Sequence, residues 1–126
     1  MSDYKNTYAY RGKAYPIRVA DGPYLSGDGL SDEGRCYVEE LLSRLDEARV
    51  FAVRQLLETY NDSWVDDDHP VLKEAEFAAK LQDPSVSLSD EAGNATVYFR
   101  DGDMFGGHVV AVRFRELDPY HADIMG

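Results

Sequence analysis

Few side chains in this 126-residue sequence have the types and spacing that chemistry needs, and His108 comes first among them. It follows Gly106-Gly107 and opens the apolar run Val109-Val110-Ala111-Val112. Glycines at such a point permit a bulge or the close approach of another backbone. An imidazole held there could serve as a general base, with Asp101 or Asp103 as orienting acid and Tyr98 beside them in a pocket. No serine, cysteine or lysine stands at a defined spacing to complete the machinery, and three scattered histidines make no metal-ligand pattern. A histidine satisfied by backbone hydrogen bonds at the start of a strand is the plainer expectation. Asp101-Gly102-Asp103 opens like a calcium loop, but Met104-Phe105 follows where further ligands are needed. These aspartates read as turn formers that bond their own backbone. Cys36 is the single cysteine, so no internal disulfide is possible and a reducing compartment fits. With no histidine near it in sequence, it reads as a small packing residue rather than a nucleophile.

The second cluster is Asn61-Asp-Ser-Trp-Val-Asp-Asp-Asp-His-Pro70, where the only tryptophan, Trp64, stands beside Asp66, Asp67 and Asp68. Three readings compete. Asp68 or His69 can cap a helix whose first turn accepts Pro70, leaving the other acids to solvent. The acids and Trp64 can form an aromatic-anchored contact surface for a basic partner. A cation site is the third, but the spacing lacks the alternating ligands and glycine of a calcium loop. Tyr24 and Asp28, in the loop Gly22–Gly29, are further contact candidates, although Tyr24 equally suits the edge of a core. No motif calls for a cofactor or a metal.

Charge sharpens the choice between function classes. Thirteen basic residues against 24 acidic ones give a formal net charge of −11. Such a surface repels nucleic-acid backbones and anionic lipid and attracts cationic partners, so neither nucleic acid nor membrane is expected to bind. The competing explanation is that the acidity serves solubility alone. No apolar run approaches the roughly 20 residues of a membrane span, and the first residues lack the pattern of a secretory signal, so a cytoplasmic location is expected.

The elements that must position these residues follow from periodicity. Thr7 to Asp21 alternates as strands about an Arg11-Gly12-Lys13 turn, with Pro16 suited to an edge. Ser31 with Asp32 and Glu33 starts a helix, and the apolar pattern to Tyr60 predicts two helices meeting near Leu45–Asp46. Pro70 to Leu81 reads as a short amphipathic helix stopped by Asp83-Pro84. Val86 and Leu88 begin a strand, and Asp101-Gly102-Asp103 predicts a hairpin between two runs rich in β-branched and aromatic residues. Glu116 to Tyr120 reads as a proline turn before a short final strand. The expectation is one α+β domain over residues 1–126: an antiparallel sheet of five or six strands with three helices on one face. An open sheet edge would also permit a homodimer.

Tyr98-Phe99-x-Asp101-Gly102-Asp103-Met104-Phe105-Gly106-Gly107-His108-Val109-Val110-x-Val112, with the closing Ala122-Asp123-Ile124-Met125-Gly126, resembles a group of small bacterial domains of unknown function. Their pattern is an acidic turn, then Phe-x-Gly-His and an apolar strand, and a last strand closing on glycine. Leu56-Leu57-Glu58-x-Tyr60-Asn61-x-x-Trp64 and Glu76-Phe77 are similar to that group's middle, so the resemblance covers roughly residues 31–126. Several such domains occur in contexts that suggest immunity proteins, which bind and silence a toxin made by the same cell. The resemblance therefore implies a non-enzymatic binding protein for a basic toxin such as a nuclease, and it carries over no catalytic residue. Trp64, Asp66, Asp67 and Asp68, then Tyr24 and Asp28, are the contact residues expected on that view. The rival is a small-molecule site or enzyme using His108, Tyr98 and Asp103.

Overall fold

The computed structural model describes residues 4–27 and 29–125. The amino-terminal strands β1 (Tyr4–Tyr10) and β2 (Lys13–Val19) form a hairpin. Its two turn residues, Arg11 at φ +50° and Gly12 at φ +80°, take the left-handed conformations that a tight hairpin turn requires. A two-residue pair, β3 (Leu25–Ser26) and β4 (Gly29–Leu30), leads into the helices.

Helix α1 (Asp32–Leu42) starts where expected: the Ser31 hydroxyl accepts the Gly34 N–H at 3.0 Å and donates to the Pro23 carbonyl at 3.0 Å. Helix α2 (Leu45–Ser63) follows after two residues, close to the break that the sequence predicts. Its Ala48, Ala52, Leu56 and Tyr60 are buried at four-residue spacing, a single inward stripe. It packs on α3 (Glu74–Lys80) and on the last two strands of the sheet. The Cys36 side chain falls on the outer face of α1 and is exposed, because the helical phase gives the inner face to Tyr37, Val38, Leu41 and Leu42. It is not the packing residue that its size suggests.

Strands β5 (Gln82–Leu88), β6 (Asn94–Arg100), β7 (Val109–Arg115) and β8 (Asp118–Met125) complete a six-stranded sheet in the order β1-β2-β5-β6-β7-β8. The fold is α+β, but the sheet is mixed. β2 and β5 run parallel, Ile17–Val19 beside Val86–Leu88, and every other pairing in it is antiparallel. The chain between these two strands contains all three helices, which is the kind of long crossover that a parallel pair needs. Alternation in sequence assigns side chains to faces and does not say which strand lies alongside which, so the parallel seam had no signature.

One face of the sheet carries the core: Ile17, Val19, Val86, Leu88, Val97, Phe99, Val110, Val112 and Phe114 are buried. Residues between them point to the other, more polar face. Among the described residues no helix is long and apolar enough to cross a membrane.

Candidate functional site

The carboxy-terminal end of α2 and the β6–β7 connection meet at the rim of the core. The Tyr60 ring is edge-on to Phe77 and to Phe105, with centroids at 6.2 and 5.7 Å. Phe105 in turn lies edge-on to Trp64 at 5.2 Å, and Trp64 to His108 at 6.2 Å. Such edge contacts set the positive rim of one ring against the face of the next. Phe105 is fully buried, so the tip of the β6–β7 loop is pinned into the core by its own side chain.

That loop is longer than the tight hairpin predicted from Asp101-Gly102-Asp103: eight residues separate β6 from β7. Asp101 explains how so long a connection keeps one shape. It is 3% exposed, and its carboxylate accepts the N–H groups of Asp103 at 2.9 Å, Phe105 at 2.9 Å and His108 at 3.0 Å. Three backbone donors that a buried loop would otherwise strand are satisfied by one side chain. Asp101 is thus the turn former that its type implies, and it does not orient the His108 imidazole. His108 is half-buried, and its Nδ1 contacts the Phe105 carbonyl. A carbonyl only accepts, so Nδ1 carries the proton and donates, and Nε2 is left as the acceptor in the neutral ring.

Opposite this loop, residues 64–72 are clamped onto α2. The Asn61 amide donates to the Leu72 carbonyl and accepts the Leu72 N–H, each at 3.0 Å, and the Tyr60 hydroxyl donates to the Pro70 carbonyl at 3.0 Å. These bonds hold Pro70 to Leu72 against α2, so α3 begins at Glu74 rather than at Pro70, with Glu76 accepting the Lys73 N–H. Neither Asp68 nor His69 caps that helix. Asp66 instead closes its own turn, accepting the Asp68 N–H at 2.9 Å and the His69 Nδ1–H at 2.7 Å. Backbone bonds between residues 66 and 69 run in both directions.

The two loops meet at His69. Its Nδ1 is on Asp66 and its Nε2 lies 3.8 Å from Asp103 of the facing loop. The hydrogen bond to Asp66 raises the His69 pKa above its ordinary value, and the charges of Asp66 and Asp103 add to the rise. The same hydrogen bond holds the Asp66 carboxyl below its ordinary range. Burial pushes the Tyr60 hydroxyl up, helped by the Asp66 charge. Asp66, Asp67, Asp68 and Asp103 are all exposed, and Trp64 is half-buried.

The structure therefore merges part of two groups that the sequence keeps apart. Asp66 meets Asp103 across His69, and the Trp64 ring meets His108. Tyr98 is not among them: it lies on the polar face of β6, opposite Ala111, while its neighbours Val97 and Phe99 point to the core. Tyr24 is 6% exposed, stacks on Tyr37 at 5.0 Å, and its hydroxyl oxygen accepts the Gly93 N–H, so it is a core residue and no contact for a partner. Asp28 lies outside the described residues. Sequence reasoning missed Asn61 and Phe105, which set the two loops. An aromatic side chain in the middle of a polar loop was the available signal for Phe105; nothing distinguished Asn61 from any other helix-end amide.

Among the described residues no group of histidine, cysteine and acidic side chains is arranged to hold a metal ion. No curated protein and no solved structure matches the chain. A family model described as an uncharacterized protein conserved in bacteria (DUF2262) matches residues 33–122, which run from the first turn of α1 through β7 and take in both loops of the site and the first part of β8. A match over most of the chain shows that it belongs to this bacterial family of uncharacterized proteins.

Proposed function

We propose that the protein is a non-enzymatic binding protein whose acidic, tryptophan-anchored surface docks a basic protein. The observation that carries this reading is the convergence of the two loops at His69, which brings the exposed Asp66 and Asp103 together, with exposed Asp67 and Asp68 next to Asp66 in the chain and the Trp64 ring against the facing loop. A half-buried aromatic with exposed carboxylates on the adjoining loops supplies both parts of a hot spot for a cationic surface: an apolar anchor and a field that steers encounter. Both loops are tied by hydrogen bonds of their own, through Asp66 and through Asp101, and such bonds lower the ordering cost of association. The immunity-protein role implied by the carboxy-terminal motif gives the partner a chemistry, a basic toxin such as a nuclease, with the cytoplasm as the place where the two meet.

The test is capture from lysate of the source cell, with the wild-type chain and an Asp67→Lys/Asp68→Lys variant side by side. That variant leaves the Asp66–His69 turn in place. The reading expects a basic protein retained at low salt by the wild type, released at high salt, and absent from the variant. Equal retention by both, or no basic protein retained by the wild type, contradicts it.

A second reading, a small-molecule site at His108, has one observation in its favour: the Phe105 carbonyl fixes the tautomer in which Nε2 can accept a proton. Against it, Asp101 is committed to backbone donors and Tyr98 faces the other way. A His108→Gln variant that still captures the basic protein separates the two readings.

A further inference from the structure

The seam between β2 and β5 covers only part of each strand. Their pairing starts at Ile17 and Val86, so Lys13 to Pro16 of β2 and Gln82 to Ser85 of β5 do not pair with each other. Asp83 at φ +51° and Pro84 stand in the unpaired part of β5, beside an irregularity in the β5–β6 register. A groove of about 1240 Å³ opens there. It is walled by both parted strands, by the junction of α1 and α2, and by Ala75, Ala78 and Ala79 of α3. Those three alanines recur at helical spacing, so α3 turns a face of methyl groups to the groove.

Backbone and charge both point to what fills it. Tyr10 and Lys13 close a two-residue turn, so they exchange hydrogen bonds with each other and the next residue, Ala14, turns its backbone groups away from β1. Pro16 fits the same alternation: it has no N–H, and at an outward position it costs β1 no bond. Farther along, the chain meets β5, with the Ala20 N–H on the Leu88 carbonyl at 3.0 Å. Ala14 lies before that pairing and is exposed, so its N–H and C=O form an open edge inside the sheet. Arg11, Lys13, Arg49 and Arg100 line the groove together with Asp46 and Asp83. Both acids are matched within it, Asp46 by Arg49 at 3.2 Å and Asp83 by Arg100 at 3.5 Å. Arg11 lies over the Tyr10 ring at 5.1 Å, and neither Arg11 nor Lys13 has an ion pair among the described residues. The groove is therefore cationic in a chain of net charge −11.

We propose that this groove binds an extended acidic peptide segment of another protein, which adds a short strand at Ala14. The segment's backbone exchanges hydrogen bonds with Ala14, and a carboxylate on it meets Lys13 and Arg11. Its small apolar side chains pack on the alanine face of α3 and on Tyr15 and Pro84. Main-chain pairing supplies affinity, while the cations and the methyl-lined wall select the sequence. Size agrees, since the groove exceeds the roughly 300–1,000 Å³ of small-molecule sites. A nucleic-acid strand would answer the cations but has no peptide group to pair with Ala14. The groove is separate from the proposed acidic surface, because none of its residues belongs to the two loops that meet at His69.

The test is selection of a phage library of random linear octapeptides on the full chain, followed by titration of the enriched peptide against backbone amide resonances. Enriched sequences are expected to carry Asp or Glu at a fixed position and to give saturable shifts at Lys13, Ala14, Tyr15, Ala78 and Gln82, with Trp64 and His69 unmoved. Ala14→Pro removes the outward N–H without costing β1 a bond and should weaken the peptide about fivefold, the worth of one backbone hydrogen bond. Lys13→Glu should weaken it by a similar factor, and the same peptide with its acid exchanged for lysine should regain affinity for that variant. This charge exchange decides the matter alone if Ala14→Pro does not fold. An absence of enrichment, enriched peptides that shift Trp64 and His69 instead, or equal binding to Lys13→Glu would overturn the proposal. So would displacement of the peptide by oligothymidylate from the same amides, which assigns the cations to nucleic acid, or concentration-dependent shifts at Ala14 in the free chain, which assign the edge to a second copy.

Discussion

Asp101 shows how one side chain decides a local structure. Its carboxylate takes three backbone donors, so Asp101→Ala strands buried N–H groups and should cost about 2–4 kcal/mol, measured by urea unfolding. A loss below about 0.5 kcal/mol, the scale of an ordinary surface substitution, would refute the role. His69 and Asp66 make a pH-dependent contact at the surface. The His69 pKa is raised on folding, so its contribution is complete below the ordinary histidine value of 6.5 and is lost as pH rises through the raised value. The Asp66 pKa is lowered, so its contribution is complete above the ordinary value of 3.8 and is lost as pH falls through the depressed one. The loop contact is therefore firmest between pH 3.8 and 6.5. Titration of the His69 ring by proton resonance should show a pKa above 6.5 that falls back toward that value in Asp66→Asn. An unchanged value in the variant would remove Asp66 as the cause.

At the scale of elements, close approach matters as much as propensity. A Cβ on Gly34 would stand 2.3 Å from the Tyr24 carbonyl oxygen, backbone that the Ser31–Pro23 hydrogen bond and the Tyr24–Tyr37 stack hold in place. Gly34→Ala should therefore destabilise by about 1–3 kcal/mol although alanine is the better helix former. A stabilised variant in thermal unfolding would show that the loop yields. The elements themselves were largely legible. The Ser31 cap, the helix break near Leu45 and the Arg11-Gly12 turn each rest on local chemistry that a sequence displays. Three features were not, and each depends on partners distant in the chain. Pro70 to Lys73 is kept out of α3 by Tyr60 and Asn61, and Pro119 falls inside edge strand β8 because the chain turns earlier, at Glu116 with φ +58°. The parallel seam pairs strands separated by the whole helical segment. The candidate site divides along the same line. Local type placed Trp64 and the three aspartates, whereas only the fold shows that Asp103 joins them, that Tyr98 leaves and that Tyr24 is buried.

At the scale of the whole molecule, the charge of −11 is organised rather than diffuse. Among the described residues carboxylates outnumber cations on the helices and cations outnumber carboxylates on the strands of the large sheet, so the acidic surface and the basic one fall on different elements. The acidic one carries the proposed function, and its mark is salt dependence: attraction between exposed charges fades as the Debye length falls from about 10 Å at 0.1 M to about 3 Å at 1 M salt. Trp64 is the only tryptophan, so its emission reports on that surface without a label. The most direct measurement is titration of Trp64 emission with the purified basic protein captured by the wild-type chain, at low and high salt. The account predicts a saturable change at low salt, weakened at least about tenfold by high salt and by Asp67→Lys/Asp68→Lys. Binding of equal strength to that variant, with Trp64 emission unaltered, would contradict it.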